Sequence, residues 1–275
     1  MNIASSIERG GALFPLRPAL FSEGTALSYR EIDRRASRMA NALRGLGVGP
    51  GDRVALVLPN SPTWVTFYLG VLKLGAVVVS VNPSFTAGEL RAVLADSGAR
   101  VALVTDEHRA DLQSEAPPAL EHLLTTEDLD GLLEPASPVA AATEVGRDTP
   151  AVIVYTSGTT GVPKGAVLSH GNVQFNMEAK QRYLGIRPDD RLILFLPLFH
   201  CFGQNAILNA GLGAGASIVL HPRFSPEPVA ASLREDRVTM LFGVPTTYIL
   251  LAERLTGRAP RPPGLAGPRC RPAGI

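Results

Sequence analysis

The sequence predicts an α/β protein whose mainly parallel sheets are covered by helices, and three observations predict it. Its short apolar runs are continuous rather than alternating, as strands buried on both faces are. Between them lie segments with apolar residues at helical spacing, several opened by an N-cap signature. The two kinds of segment alternate along the chain, which calls for right-handed βαβ crossovers.

Ser28 followed three residues later by Glu31 is a capping-box pair. Ile32, Ala36, Met39, Ala40, Leu43 and Leu46 follow at helical spacing, so a helix is expected from about Tyr29 to Leu46. Glycines and a proline punctuate residues 47–51, and Arg53–Leu58 then fits a buried parallel strand. Ser61-Pro62 opens the next helix with proline in the first turn. The most apolar stretch, Val65–Val81, is cut by Gly70, Lys73 and Gly75 and falls short of the roughly 20 residues that span a bilayer. It reads as a buried helix followed by a strand at Ala76–Val81. Thr86 and Glu89 repeat the capping box ahead of Leu90, Val93 and Leu94, and Val101–Thr105 closes the unit. From about Asp106 to Arg147 the rhythm lapses, and Pro117-Pro118, scattered acids and Ala140–Ala142 read as a connecting region with one short helix. Strands resume at Ala151–Tyr155, Arg191–Phe195, Ala216–Leu220 and Thr239–Phe242, with helices between them.

Of the 275 residues, 45% are hydrophobic and 19% charged, which suits a folded chain and not a disordered one. A formal charge of +1 gives no global pull toward nucleic acid or anionic lipid. Cys201 and Cys270, the two cysteines, are too few for a disulfide framework or a cysteine zinc cluster, so a reducing, cytoplasmic setting is expected. Glu8 and Arg9 stand where a signal peptide needs an apolar core. No transmembrane segment is expected, which leaves peripheral membrane contact open. Residues 257–275 differ in kind: sixteen of nineteen are Pro, Gly, Arg or Ala, and all four charges are basic. With no aromatic residue to stack bases, nucleic-acid binding is a weak reading of this tail, and an unstructured segment is the stronger one.

Chemistry concentrates at residues 155–165, Tyr-Thr-Ser-Gly-Thr-Thr-Gly-Val-Pro-Lys-Gly, a loop leaving an expected buried strand. Gly158 and Gly161 let backbone N–H groups approach an anion, while Thr156, Ser157, Thr159 and Thr160 supply hydroxyls and Lys164 a point charge. That set suits a nucleotide polyphosphate. The Walker loop needs a Gly-Lys-Ser/Thr ending, which this loop lacks, and a bare turn would not need so ordered a run.

The segment resembles the phosphate-loop signature of the adenylate-forming (ANL) superfamily, which contains acyl-CoA synthetases, luciferases and peptide-synthetase adenylation domains. Further segments resemble the superfamily's motifs in the expected order: Leu27–Glu31, Leu74–Pro83, Ser169-His-Gly-Asn172, Leu196-Pro-Leu-Phe-His-Cys-Phe-Gly203 and Phe242–Tyr248. The resemblance covers about Phe14 to Leu255. It implies an ATP-dependent acyl-CoA synthetase in which a carboxylate attacks the α-phosphate of ATP and coenzyme A then displaces AMP. Lys164 and the loop hydroxyls would hold the β- and γ-phosphates, and His200 would sit beside the reacting carboxylate. Phe199, Phe242, Gly243, Val244 and Tyr248 would line the acyl pocket of a fatty or other apolar acid. Without the motif, a histidine in such apolar surroundings reads as a core residue, and a His200–Cys201 metal pair lacks further ligands. Mg2+ would be held by the phosphates and by residues that this sequence does not contain. The superfamily's adenine and ribose motifs, hinge and C-terminal subdomain are not found. Residues 1–256 are therefore expected to be a partial AMP-binding domain, and 257–275 the tail of a truncated or frameshifted product that does not complete the reaction alone. Two other readings stay open: a non-catalytic nucleotide- or protein-binding fragment, and an amino-acid-activating domain of a peptide synthetase.

Overall fold

The computed structural model describes residues 1–156, 163–255 and 269–272. In chain order it runs α1 (Ser5–Leu13), β1 (Pro18–Ser22), β2 (Thr25–Ser28), α2 (Tyr29–Gly45), β3 (Arg53–Val57), α3 (Pro62–Lys73), β4 (Val77–Ser80), α4 (Ala87–Ser97) and β5 (Val101–Val104). Then follow α5 (Asp106–Ser114), β6 (His122–Leu124), α6 (Thr126–Leu133), β7 (Pro150–Thr156), β8 (Lys164–Ser169), α7 (His170–Leu184) and β9 (Arg191–Leu194). A π-helix, Phe202–Asn209, runs into α8 (Ala210–Gly213), and β10 (Ser217–Leu220), α9 (Pro226–Glu235), β11 (Met240–Gly243), α10 (Pro245–Leu255) and β12 (Arg269–Pro272) complete the series.

The strands form two six-stranded sheets, ordered β12-β11-β9-β10-β1-β2 and β6-β5-β3-β4-β7-β8. Both are parallel except for one antiparallel pair each, β1 with β2 and β7 with β8. The expected architecture of parallel sheets under helices is thus present, as a pair of sheets around a shared core. Val54, Leu56 and Val78 of one sheet and Leu192, Leu194 and Ile218 of the other belong to that core, together with Trp64, Phe67 and Leu72 of α3. The alternate residues of the same strands face outward: Ala55, Val57 and Val79 pack with α4, and Ile193 and Val219 with α9. Period-2 geometry thus sends one strand into two cores, which explains the continuous apolar runs. Helices α2 and α3 cross closely because residue 70 is glycine, where a Cβ would fall 2.5 Å from that of Met39.

Two expectations need correction. Residues 106–147 carry two helices and a strand rather than one short helix. Asp128 caps α6 by accepting from the Thr125 N–H at 2.8 Å, and it also pairs with Arg109 of α5 at 2.8 Å. The three-residue β6, parallel to β5, is too short to leave a periodic signal. In the tail, Arg269–Pro272 is not unstructured but lies parallel to β11, with Met240 opposite Arg269 and Gly243 opposite Pro272. An edge strand tolerates proline, because a missing N–H at its end or outer side breaks no ladder bond. α1 and the β1–β2 hairpin, with Glu23 and Gly24 at positive φ in its turn, also went unanticipated.

His170 starts α7 fully buried, and its Nδ1 accepts from the Ile3 N–H at 3.2 Å. Burial first, and then the positive amino terminus, hold its pKa down to about 4. A histidine kept neutral in the fold leaves the unfolded chain binding more protons below its ordinary pKa of about 6.5. Stability is therefore whole above that pH and falls as pH drops toward 4. We expect this residue to remove about 2 kcal/mol over that window. Urea unfolding at a series of pH values would show His170→Gln losing less than the parent chain; parallel pH profiles would refute it.

Candidate nucleotide and acid site

The register of the β7–β8 hairpin sets the frame of the phosphate loop. Thr156 and Lys164 are Cα partners, as are Tyr155 and Gly165, so both ends of the loop are pinned across one ladder. Ser157, Gly158, Thr159, Thr160 and Gly161 lie outside the described residues. Residue 165 must be glycine for this pairing, since a Cβ there would lie 2.9 Å from the Tyr155 ring and from Ile153. The Tyr155 hydroxyl in turn donates to Asp96 at 2.5 Å, fixing β7 to α4. Lys164 is exposed and forms no hydrogen bond or ion pair among the described residues. An ammonium without a partner among the described residues, beside a sequence rich in Ser, Thr and Gly, is a donor set that suits a polyphosphate.

Beyond β8, the Ser169-His-Gly-Asn172 segment has a structural explanation for every residue. The Ser169 hydroxyl accepts from the Asn172 N–H at 3.1 Å, and Asn172 Oδ1 accepts from the Ser169 N–H at 3.2 Å, which is a reciprocal N-cap. A Cβ on Gly171 would strike the Arg147 carbonyl at 2.7 Å.

The second part of the site is the loop from β9 to the π-helix. Asn60, 6% exposed just past β3, donates through Nδ2 to the carbonyls of Leu196 and His221 at 3.0 and 3.2 Å, and its Oδ1 accepts from the Leu198 N–H at 2.8 Å. One side chain of the second sheet thereby clamps the ends of two strands of the first. Gln204 of the π-helix donates to Ser80 Oγ at 2.9 Å and to the Leu198 carbonyl at 3.2 Å, adding a second tie. Gly203 passes where a Cβ would sit 2.6 Å from the Pro197 carbonyl. π-Helices are rare and concentrate at functional sites. The clamped loop presents His200 exposed, its ring 5.1 Å from that of Phe199.

Two cavities flank this loop. The larger, about 620 Å³, opens past the C-terminal ends of β3, β4, β9, β10 and β11 and is walled by Asn60, Asn82, Phe195, Phe199, Phe224 and Val244, with Arg223 also lining it. That is where parallel sheets place their ligands. The smaller, about 390 Å³, lies between α7 and the π-helix, against Leu168 of β8, and takes in Cys201 and Phe202. Of the residues expected at the acyl pocket, Phe199 and Val244 line the larger cavity. Phe242 is buried and meets Phe202 edge-on at 6.4 Å, so it backs the wall of the smaller one. Gly243 is buried under Thr247, and Tyr248 is half-buried with its hydroxyl 3.5 Å from the Leu241 carbonyl. Asn60, Gln204 and Arg223 went unnoticed in the sequence. For two of them the signal is position: Asn60 and Arg223 each stand three residues beyond a parallel strand.

No three His, Cys, Asp or Glu side chains converge as a metal site among the described residues. The described residues thus offer no all-protein cage for Mg2+. No helix among the described residues is long and apolar enough to cross a membrane.

Paired parallel sheets, a hairpin that frames the Ser/Thr/Gly run and a clamped histidine loop together describe the N-terminal domain of the adenylate-forming family. The chain belongs to the AMP-binding enzyme family, whose sequence profile matches residues 7–266. It is 37% identical over 244 residues to feruloyl-CoA synthase of Amycolatopsis sp, a match covering 89% of this chain and 49% of that protein. It is 32% identical over 253 residues to long-chain-fatty-acid–CoA ligase FadD13 of Mycobacterium tuberculosis (strain ATCC 25618 / H37Rv), covering 89% of this chain and 50% of that one. The chain spans about half the length of the curated relatives it matches. Among solved structures, the inhibitor-bound N-terminal domain of FACL13 from Mycobacterium tuberculosis matches with a TM-score of 0.87 at 29% identity, covering 92% of this chain and 65% of that one. ATP-bound MatB from Rhodopseudomonas palustris matches at 0.84 and 32%, covering 92% and 51%.

Proposed function

We propose that this chain supplies the phosphate loop and the acid-binding side of an ATP-dependent carboxylate–CoA ligase acting on a fatty or other apolar acid. The observation that carries this reading is the Thr156–Lys164 pairing, which sets Lys164 at the foot of the Ser/Thr/Gly loop. In the reaction a carboxylate oxygen attacks the α-phosphorus of ATP, pyrophosphate leaves, and the thiol of coenzyme A then attacks the acyl carbonyl and expels AMP. Lys164, with Thr156, Ser157, Thr159, Thr160 and the N–H groups at Gly158 and Gly161, holds the β- and γ-phosphates and neutralises charge as pyrophosphate departs. His200 stands beside the carboxylate. Two carbon chains must reach one carbonyl, and the two cavities on either side of the His200 loop give each a path. Phe199 and Val244 serve the larger; Phe242, Gly243 and Tyr248 support the walls. The relatives include a feruloyl-CoA synthase and a long-chain-fatty-acid–CoA ligase, which agrees with an apolar acid class.

Calorimetric titration with ATP tests the reading. Lys164→Ala should weaken binding about 10- to 100-fold, the worth of one charge-assisted contact, and Lys164→Arg should weaken it less. An unchanged Kd in a variant with an unaltered melt would overturn the assignment.

A further inference from the structure

We infer that Cys201 is a self-acylation site: its thiol takes the acyl group from an acyl-adenylate, forming a protein thioester and releasing AMP. This inference rests on the carboxylate–CoA ligase reading, whose second step is the same reaction with the thiol of coenzyme A. Cys201 follows His200 directly, is a free and exposed thiol, and lines the cavity between α7 and the π-helix. It stands at the N-cap of the π-helix, where its side chain makes no capping hydrogen bond.

A second group in the same cavity lacks an oxygen to bind. Asn205, one turn further along the helix, is 6% exposed and also lines the cavity. Its Oδ1 accepts from Asn209 Nδ2 at 3.0 Å, while its own Nδ2 has no partner among the described residues. A nearly buried amide donor left unmatched is costly, and an acyl carbonyl oxygen held beside Cys201 matches it. In the step itself Sγ attacks the acyl carbon and the carbonyl electrons move onto the oxygen. Asn205 Nδ2 stabilises that charge, together with the N–H groups of the helix's first turn, which have no acceptor inside the helix. When the carbonyl re-forms, the bond to the phosphate oxygen breaks, AMP leaves with the electron pair and the thiol proton passes to solvent. Neither an oxidant nor a reductant is consumed. Lys180 lines the same cavity, but an ammonium has no lone pair with which to attack. Holding a thiol and an activated carbonyl in one cavity supplies the acceleration.

Incubation of the full chain with synthetic octanoyl-adenylate, read by intact-mass and peptide mass spectrometry, tests this. Cys201 should gain one octanoyl group, removable by hydroxylamine as a thioester is, and should gain it about tenfold faster in the folded chain than in urea. Cys201→Ala should abolish the label, whereas Cys270→Ala should keep it. Label at Cys270 in place of Cys201, a hydroxylamine-resistant label at Lys180, or a Cys201 rate no faster folded than unfolded overturns the inference. A thioester donor without the nucleotide, S-octanoyl-N-acetylcysteamine, and ATP titration of the same protein separate the two readings. ATP binding without label at Cys201 sinks the acylation site alone. Selective label at Cys201 from both donors, in a chain that does not bind ATP, sinks the ligase reading and supports the acylation site.

Discussion

Lys73→Met destabilises the chain by about 3–5 kcal/mol, the usual cost of removing one partner from a buried ion pair. Lys73 ends α3 with 1% of its side chain exposed. Its ammonium donates to Glu8 of α1 at 2.6 Å and to the Ala140 carbonyl at 2.7 Å, and it lies 2.8 Å from Asp33 of α2 as a charge contact that is not a hydrogen bond. Glu8 also accepts from the Ala142 N–H at 2.6 Å. One cation thus joins three helices and the strap that precedes β7. Methionine fills the volume but leaves two carboxylates facing each other with no counter-charge. Urea unfolding of the variant, alone and combined with Glu8→Gln and Asp33→Asn, measures this. The triple variant should recover much of the loss, because uncompensated charge causes it. A single variant within about 1 kcal/mol of the parent would show that the surrounding water already satisfies the acids.

Asn60→Leu lowers stability by about 2–4 kcal/mol and loosens the His200 loop at the same time. The leucine cannot accept from the Leu198 N–H or donate to the Leu196 and His221 carbonyls, and each buried group left unpaired costs about 1–3 kcal/mol. The loss is local to the strand ends, so amide exchange should quicken at Leu198 and through residues 197–203 while the α2–α3 core keeps its protection. Asn60→Asp keeps the acceptor and forfeits the donors, so it should fall between leucine and the parent. Exchange that quickens uniformly over the whole chain would mean that the clamp is general support and has no special tie to the loop.

Much of this organisation is legible without coordinates. The Ser28–Glu31 and Thr86–Glu89 boxes mark where α2 and α4 begin, since a cap is a contract between residues three apart. Val77–Ser80 and Val101–Val104 announce parallel strands through composition alone. The run of glycines and hydroxyls ending in Lys164 stands out because it has little use in a core. Where the signal was too short, as in β6, or lay in the partner of a cap, as at Asp128, the pattern was missed. The return of the chain through β8 was also hidden. Its exposed residues alternate with nothing, and Val167 is 57% exposed.

By itself the sequence determined the strand and helix alternation, the Ser/Thr/Gly run that leads to Lys164, and the place of His200 after β9. Each of these rests on residues within a few positions of one another, where backbone geometry and local hydrogen bonding decide the outcome. Only the tertiary structure decided that Lys73 would find Glu8 and Asp33, that Asn60 would reach the His221 carbonyl 161 positions away, and that α7 and the π-helix would flank a cavity. Those arrangements depend on two sheets packing around one core, and a side chain's partner across that core is set by the packing of whole elements and carries no mark in its sequence neighbours.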